Sequence, residues 1–240
     1  MRITTKWIIT GNKEQRHYAM ERLGNLLNPG FHFTEAGQVW RDDKVFEENH
    51  FNLIDDNFHS IDRKYTVNQF LQLIKNVTGD IAECGVYKGA TAWFICKFIQ
   101  EQKLNKMLHV FDSFEGLSKP KNEDGTYWRA GNLATEEAIC RKNLDEFDFV
   151  KYYKGWIPDR FVEVEATMFC FVHIDVDLYQ PTLDSISFFY EKLSKGGIMI
   201  CDDYGFTTCP GAKIAMDDFF ADKAEPVIML TTGQGLVIKE

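Results

Sequence analysis

From Asp80 onward the chain alternates short apolar runs with stretches of helical spacing. Runs too apolar to face water on either side belong in a parallel sheet covered by helices on both faces, so this alternation excludes most folds. The runs are Ile81 to Cys84, Met107 to Phe111, Phe149 to Tyr153, Met168 to Ile174, Gly197 to Cys201, Val227 to Leu230 and Leu236 to Ile238. Helices are expected to start near Ala90, Ala134, Pro181 and Gly211, the first with the stripe Trp93, Phe94, Cys96, Lys97, Phe98. Only TTGQG separates the last two runs, too little for a crossover helix, so those two strands pair antiparallel. The expectation is an α/β fold with a seven-stranded, mostly parallel sheet that ends in an antiparallel hairpin. Upstream, helical spacing covers Lys13 to Leu27 and Asn68 to Val77, with polar, aromatic-rich chain between. This divides the 240 residues into a helical extension, 1–79, and an α/β domain, 80–240.

The formal charge of −9 argues against a chain that neutralises a phosphate backbone, so nucleic acid is not expected as a partner. No stretch approaches the ~20 apolar residues that span a bilayer, and MRITTKWIITGNKEQ lacks a signal-peptide core, which points to a cytoplasmic protein; a homo-oligomer is compatible with all of this. Six cysteines occur with no C-x-x-C pair, and Cys84, Cys170 and Cys201 lie inside apolar runs, where reduced thiols act as small hydrophobes.

In an open parallel sheet the residues just beyond each strand meet the ligand. The first strand is followed by Glu83-Cys-Gly85-Val-Tyr-Lys-Gly89. Gly85 permits a tight turn, Gly89 close approach to a cofactor, and the next helix offers its N-terminal amides. The E-x-G-x-x-x-G spacing differs from the dinucleotide G-x-G-x-x-G, and a carboxylate at the turn repels a pyrophosphate but suits the ammonium and sulfonium of S-adenosylmethionine. The second strand ends at Asp112, from which a carboxylate can accept hydrogen bonds from ribose hydroxyls.

The fourth strand runs into Asp175 and Asp177, and the fifth into Asp202 and Asp203. Gathered at one sheet edge, four carboxylates repel one another, and a hard divalent cation, Mg²⁺, Ca²⁺ or Mn²⁺, resolves the repulsion. Such an ion would also activate a hydroxyl nucleophile, with one carboxylate left to take its proton. His173 has no second histidine at ligand spacing and reads as a packed strand residue.

The stretches IAECGVYKGAT, FDSFEGL, KGWIPD, FVHIDVDLYQPTLDS and GGIMICDDYGF, followed by CPGAK and MDDFF, resemble the macrocin O-methyltransferase (TylF-type) family over roughly Asp80 to Glu240. That resemblance implies a Rossmann-like class I methyltransferase fold, S-adenosylmethionine as donor, and Mg²⁺ held by strand-end aspartates against a sugar's adjacent hydroxyls. It marks Asp175, Asp202 and Asp203 as metal ligands and Asp177 as general base, with Asp175 also counted at the catalytic and donor sites. Glu83, Gly85, Tyr87 and Gly89, with Cys84, Val86 and Ala90 beside them, match the donor's amino-acid end. Asp112, Ser113 and Phe114 match the ribose and Gly155 and Trp156 the adenine. Val176 departs from the D-G-D of many antibiotic-sugar members, which bears on the acceptor more than on the chemistry.

The reading is therefore methyl transfer from S-adenosylmethionine to a small-molecule or glycan hydroxyl, with residues 1–79 helping to form the acceptor side. An NAD-dependent oxidoreductase, a catechol-type O-methyltransferase and a non-catalytic binding module are the alternatives. The long polar loop Ser113 to Asn132 reads as a lid, and Tyr127, Trp128, Trp156, Tyr179, Tyr204 and Phe206 as rim aromatics able to stack on sugar rings.

Overall fold

The computed structural model describes residues 2–30, 39–52 and 61–240. Parts of the expected N-terminal extension thus lie outside the described residues. The chain divides into two compact units, Met1–Glu47 and Glu48–Glu240. In the first, α1 (Arg2–Thr10) and α2 (Lys13–Leu27) meet through Trp7 and Tyr18, whose rings lie edge to face at 5.5 Å. Asn12 and Gln15 form a reciprocal capping box that starts α2 where the apolar spacing places it. Helix α3 spans Lys44–Asn52.

The second unit holds α4 (Ile61–Leu71), β1 (Asp80–Cys84), α5 (Ala90–Glu101), β2 (Leu108–Asp112), α6 (Glu137–Asn143), β3 (Val150–Lys154), β4 (Phe169–Ile174), α7 (Tyr179–Lys192), β5 (Leu193–Cys201), α8 (Pro210–Phe220), β6 (Ile228–Met229) and β7 (Gly235–Ile238). The boundary expected at residue 79 falls earlier because α4 belongs to the α/β unit: Val67, Leu71 and Ile74 are fully buried in its core. The helix expected over Asn68 to Val77 instead starts at Ile61 and tightens to a 3-10 turn at Gln72–Ile74. Its buried positions are Lys64, Val67 and Leu71, and the lysine in that stripe hides the apolar period.

The seven strands lie in the order β3-β2-β1-β4-β5-β7-β6. The pairs among β1 to β5 are parallel, while β7 runs antiparallel to both β5 and β6. The chain winds outward from β1 to β3 and then crosses back to β4, so the direction of winding reverses between β1 and β4, where open sheets bind ligands. Side chains alternate between two cores: Ile81, Phe171 and Ile200 pack with α4 and α5, while Ala82, Val172 and Met199 pack with α7 and α8. By the same alternation Glu83 and His173, adjacent in register, fall on the α4–α5 face near the carboxyl ends of their strands.

Candidate active site

Hydrogen bonding continues past the strand ends and locks the loops together. Gly85 N–H donates to the Phe111 carbonyl at 2.8 Å, Asp175 N–H to Cys84 at 2.9 Å, and Asp202 N–H to Ile174 at 2.8 Å. Gly85 has φ +82°, and a Cβ there would run into the backbone carbonyl of Asp175. The glycine turn and the first acidic loop are therefore in backbone contact.

At the end of β2, Asp112 accepts the Tyr87 N–H on Oδ2 at 2.8 Å and the Phe114 N–H on Oδ1 at 2.7 Å. Tyr87 and Phe114 both hold left-handed backbone, φ +48° and +60°, which those bonds sustain. Burial pushes the Asp112 carboxyl upward, against the pull of the Phe114, Tyr87 and Val86 amides. Each oxygen keeps lone pairs for a ligand in the cavity that Asp112 lines.

That cavity measures about 320 Å³. Its walls include Gly85, Tyr87, Asp112, Ser113, Gly155 and Trp156 from the expected donor side, and Asp175, Asp177, Asp203, Trp128, Phe206 and Cys209 from the acidic side. A smaller recess of about 60 Å³ is lined by Arg63, Lys64, Glu83, Val86, Ala90, Thr91 and Asp202, and shares Arg63, Gly85, Tyr87 and Asp175 with the larger one. Three expected cofactor residues line neither. Cys84 is fully buried in the α7–α8 core. Phe114 acts through its amide on Asp112. Gly89 has φ +87°, and a Cβ there would stand 3.3 Å from Cys140 Sγ, so both the turn and the packing of α5 on α6 favour glycine. Of the six rim aromatics, Trp128, Trp156 and Phe206 line the cavity; Tyr127, Tyr179 and Tyr204 do not, and Tyr204 is buried with its hydroxyl on Asp217.

The four aspartates do converge, and each has distinct partners. Asp202 accepts from Gln234 Nε2 at 2.7 Å and meets His173 Nε2 at 3.2 Å, both on Oδ1, while its Oδ2 is ion-paired with Arg63. Asp203 accepts the Asp177 N–H at 3.0 Å on Oδ2, and its Oδ1 lies 4.0 Å from the Arg63 guanidinium. Asp177 sits at φ +60° and receives the Cys209 thiol on Oδ1 at 3.4 Å; Cys209 Sγ in turn accepts the Trp128 indole N–H at 3.2 Å. His173 is more than a packed strand residue, since its Nδ1 also meets Glu83 Oε1 at 3.0 Å, and it joins the glycine turn to the acids.

The electrostatics show too little positive charge for these carboxylates. Burial, then the charge of Asp202, pushes Asp175 up to about 8. Burial likewise lifts Asp177 to about 6, and with the charges of Asp177 and Asp175 it raises Asp203 well above the usual range. Burial would raise Asp202 too, but Arg63 and then His173 hold it down at about 2. Burial would lower His173, but its hydrogen bonds to Asp202 and Glu83 hold it at about 10. A donor set of buried carboxylates, with Asp175 and Asp203 held up by burial and then by their acidic neighbours, suits a hard divalent cation in charge and atom type. The ligand atoms nonetheless fall into two groups, His173, Asp175 and Asp202 in one and Asp177, Asp203 and Cys209 in the other, each within 4.8 Å, so the expected triad is divided between them. Sequence reasoning missed Arg63, Gln234 and Cys209. The one available signal was that so many acids at one edge demand a cation from somewhere.

The family model described as Macrocin-O-methyltransferase (TylF) matches residues 63–230. The chain belongs to that family. Demethyldecarbamoylnovobiocin O-methyltransferase of Streptomyces niveus is 30% identical over 170 residues, 65% of this chain and 64% of the relative. Mycinamicin III 3''-O-methyltransferase of Micromonospora griseorubida is 28% identical over 147 residues, 55% of this chain and 58% of the relative. The match thus spans about three fifths of the length of these relatives. Among solved structures the O-methyltransferase NovP superposes with a TM-score of 0.63 at 26% identity, covering 75% of this chain and 80% of its own. The calicheamicin methyltransferase CalS11 gives 0.67 at 18% identity over 87% and 94%, a likeness of fold. The fold is the class I Rossmann-like one expected from the sequence. Among the described residues no helix is long and apolar enough to cross a membrane.

Proposed function

We propose that this TylF-family chain transfers a methyl group from S-adenosylmethionine to a hydroxyl of a sugar or glycosylated small molecule, with a divalent cation assisting. The observation that carries the reading is one cavity lined both by Asp112, a carboxylate free to accept two further hydrogen bonds, and by Asp177, a buried carboxylate poised near neutrality. The donor's sulfonium, when bound, supplies a methyl carbon open to in-line displacement. Asp112 then orients the donor, and the acidic side orients the acceptor, which is most of what such a displacement needs. Asp177, whose pKa near 6 suits a general base, would take the hydroxyl proton released by methyl transfer. Asp175 and Asp202 from one ligand group and Asp203 from the other would hold the cation, which would polarise the hydroxyl. Names of the relatives support a glycosylated acceptor.

Calorimetric titration with S-adenosylmethionine, with NAD as control, tests the donor. Mass spectrometry after incubation with donor, Mg²⁺ and a panel of nucleotide sugars and glycosides tests the acceptor. Products heavier by one methyl group support the reading. Binding of NAD in place of S-adenosylmethionine overturns it in favour of an oxidoreductase.

A further inference from the structure

The acid cluster already contains a cation. Arg63, from the first turn of α4, pairs with Asp202 and lies 4.0 Å from Asp203 Oδ1. Its guanidinium carbon stands 5.0 Å over the Phe206 ring, and its backbone carbonyl accepts from Gln234 at 3.4 Å, the same side chain that donates to Asp202. A divalent ion on Asp202 and Asp203 needs the carboxylate oxygens that the guanidinium now faces. In this arrangement ion and guanidinium exclude each other.

Arg63 also lines the small recess, beside Lys64, Glu83 and Asp202. Glu83 is 2% exposed, and its Oε2 has no hydrogen-bond partner, an orphaned acceptor suited to an ammonium. Ala90 and Thr91 bring the N-terminus of the 12-residue α5 to the same recess, which suits a carboxylate. An α-amino-acid end bound there offers Arg63 a new anionic partner without leaving either cavity.

We propose that Arg63 holds the cation position of the acid cluster until the donor's α-carboxylate draws its guanidinium away, so that donor and divalent ion load together. This rests on the donor and metal reading above. Linkage requires each ligand to tighten the other by the same factor.

The test is calorimetric titration of the full chain with MnCl₂, with and without saturating S-adenosylhomocysteine. Wild type should bind Mn²⁺ at least about fivefold tighter with S-adenosylhomocysteine present. Arg63→Met should bind Mn²⁺ at least about tenfold tighter than wild type on its own, and S-adenosylhomocysteine should add nothing further. Arg63→Lys, which keeps the charge on a narrower head, should retain the coupling should the methionine variant fail to fold. Absence of coupling in wild type, or the same coupling in Arg63→Met, overturns the proposal. An Asp202→Ala, Asp203→Ala double variant separates the two failures. Mn²⁺ binding that survives it shows that the metal reading is wrong, whereas binding lost there but indifferent to Arg63 condemns the role of Arg63 alone.

Discussion

The thiol of Cys209 donates to Oδ1 of Asp177 across 3.4 Å. Burial keeps this thiol well above its ordinary pKa, so it carries its proton and acts as a donor. One such bond is worth about 1 kcal/mol, or about fivefold in rate if it is needed to aim the base. Cys209→Ala should lower kcat by roughly that factor and leave donor affinity unchanged, while Cys209→Ser recovers most of the loss. Steady-state kinetics on the acceptor found in the product screen, beside donor calorimetry, checks both; an unchanged kcat in the alanine variant would show that Asp177 aims itself.

Asp177→Asn keeps the shape of the side chain and removes its basicity. A loss of about 10²- to 10⁴-fold in kcat is expected, with donor binding spared. Full turnover by this variant would assign the proton to another group.

Asp112→Ala should act on the opposite partner. Losing a charged acceptor for two hydroxyls is expected to raise the donor Kd by about 10- to 100-fold. Gly85→Val is a poorer probe of the donor, because any Cβ at that position meets the Asp175 carbonyl and disturbs the fold first. Calorimetry on Asp112→Ala at matched melting temperature decides; unchanged affinity would remove the ribose assignment.

The pH dependence of stability has a definite sign. Asp175 is held up near 8 by burial and Asp202, so its contribution is complete below the ordinary carboxylate range and is lost as pH rises through 8. For His173, burial is outweighed by hydrogen bonds that hold it at about 10, and its contribution drains between about 6.5 and 10. Asp202, held near 2 by Arg63 against the effect of burial, contributes above about 4 and fails only toward pH 2. The melting temperature of the ligand-free protein should therefore fall from pH 6 to pH 9, and Asp175→Asn should flatten the fall. Scanning calorimetry in matched buffers measures it, and a rising or level profile would contradict these shifts.

The loop Ser113 to Asn132 is tied down in this structure. Asp124, buried, accepts the Tyr179 N–H at 2.6 Å at the start of α7 and the Lys121 N–H at 2.7 Å. Asp124→Ala removes a helix N-terminal acceptor, at a cost of about 1–2 kcal/mol, and should lower the melting temperature by about 2–8 °C. Hydrogen exchange in the loop should quicken in the variant. Equal protection in both proteins would show that the loop is held elsewhere.

The seven strands and their hairpin were legible because alternation between two buried faces leaves runs such as Phe169–Ile174 with no polar residue until His173. The aspartates were legible because the strand ends fix where the loops must gather. Arg63 was not: it lies in a helix whose buried stripe includes Lys64, so nothing in the local pattern announced a core-facing element. Cys209 and Gln234 were equally hidden, since their partners are 32 positions away in each case and only the packing of α8 and β7 brings them in. The closeness of Gly89 to Cys140 was hidden in the same way, since the two are brought together only by the packing of α5 on α6.

Glu83 on β1, His173 on β4 and Asp202 beyond β5 form a tie laid across three neighbouring strands. A chimera that took everything from β4 onward from a relative would splice through the middle of it. Where the relative's residue 83 differs, the imported residue 173 would meet a partner it does not suit, and the buried pair would be mismatched even if every motif read correctly. Recombination of this chain must therefore keep positions 83, 173 and 202 matched as one heritable unit, although they lie on three separate segments.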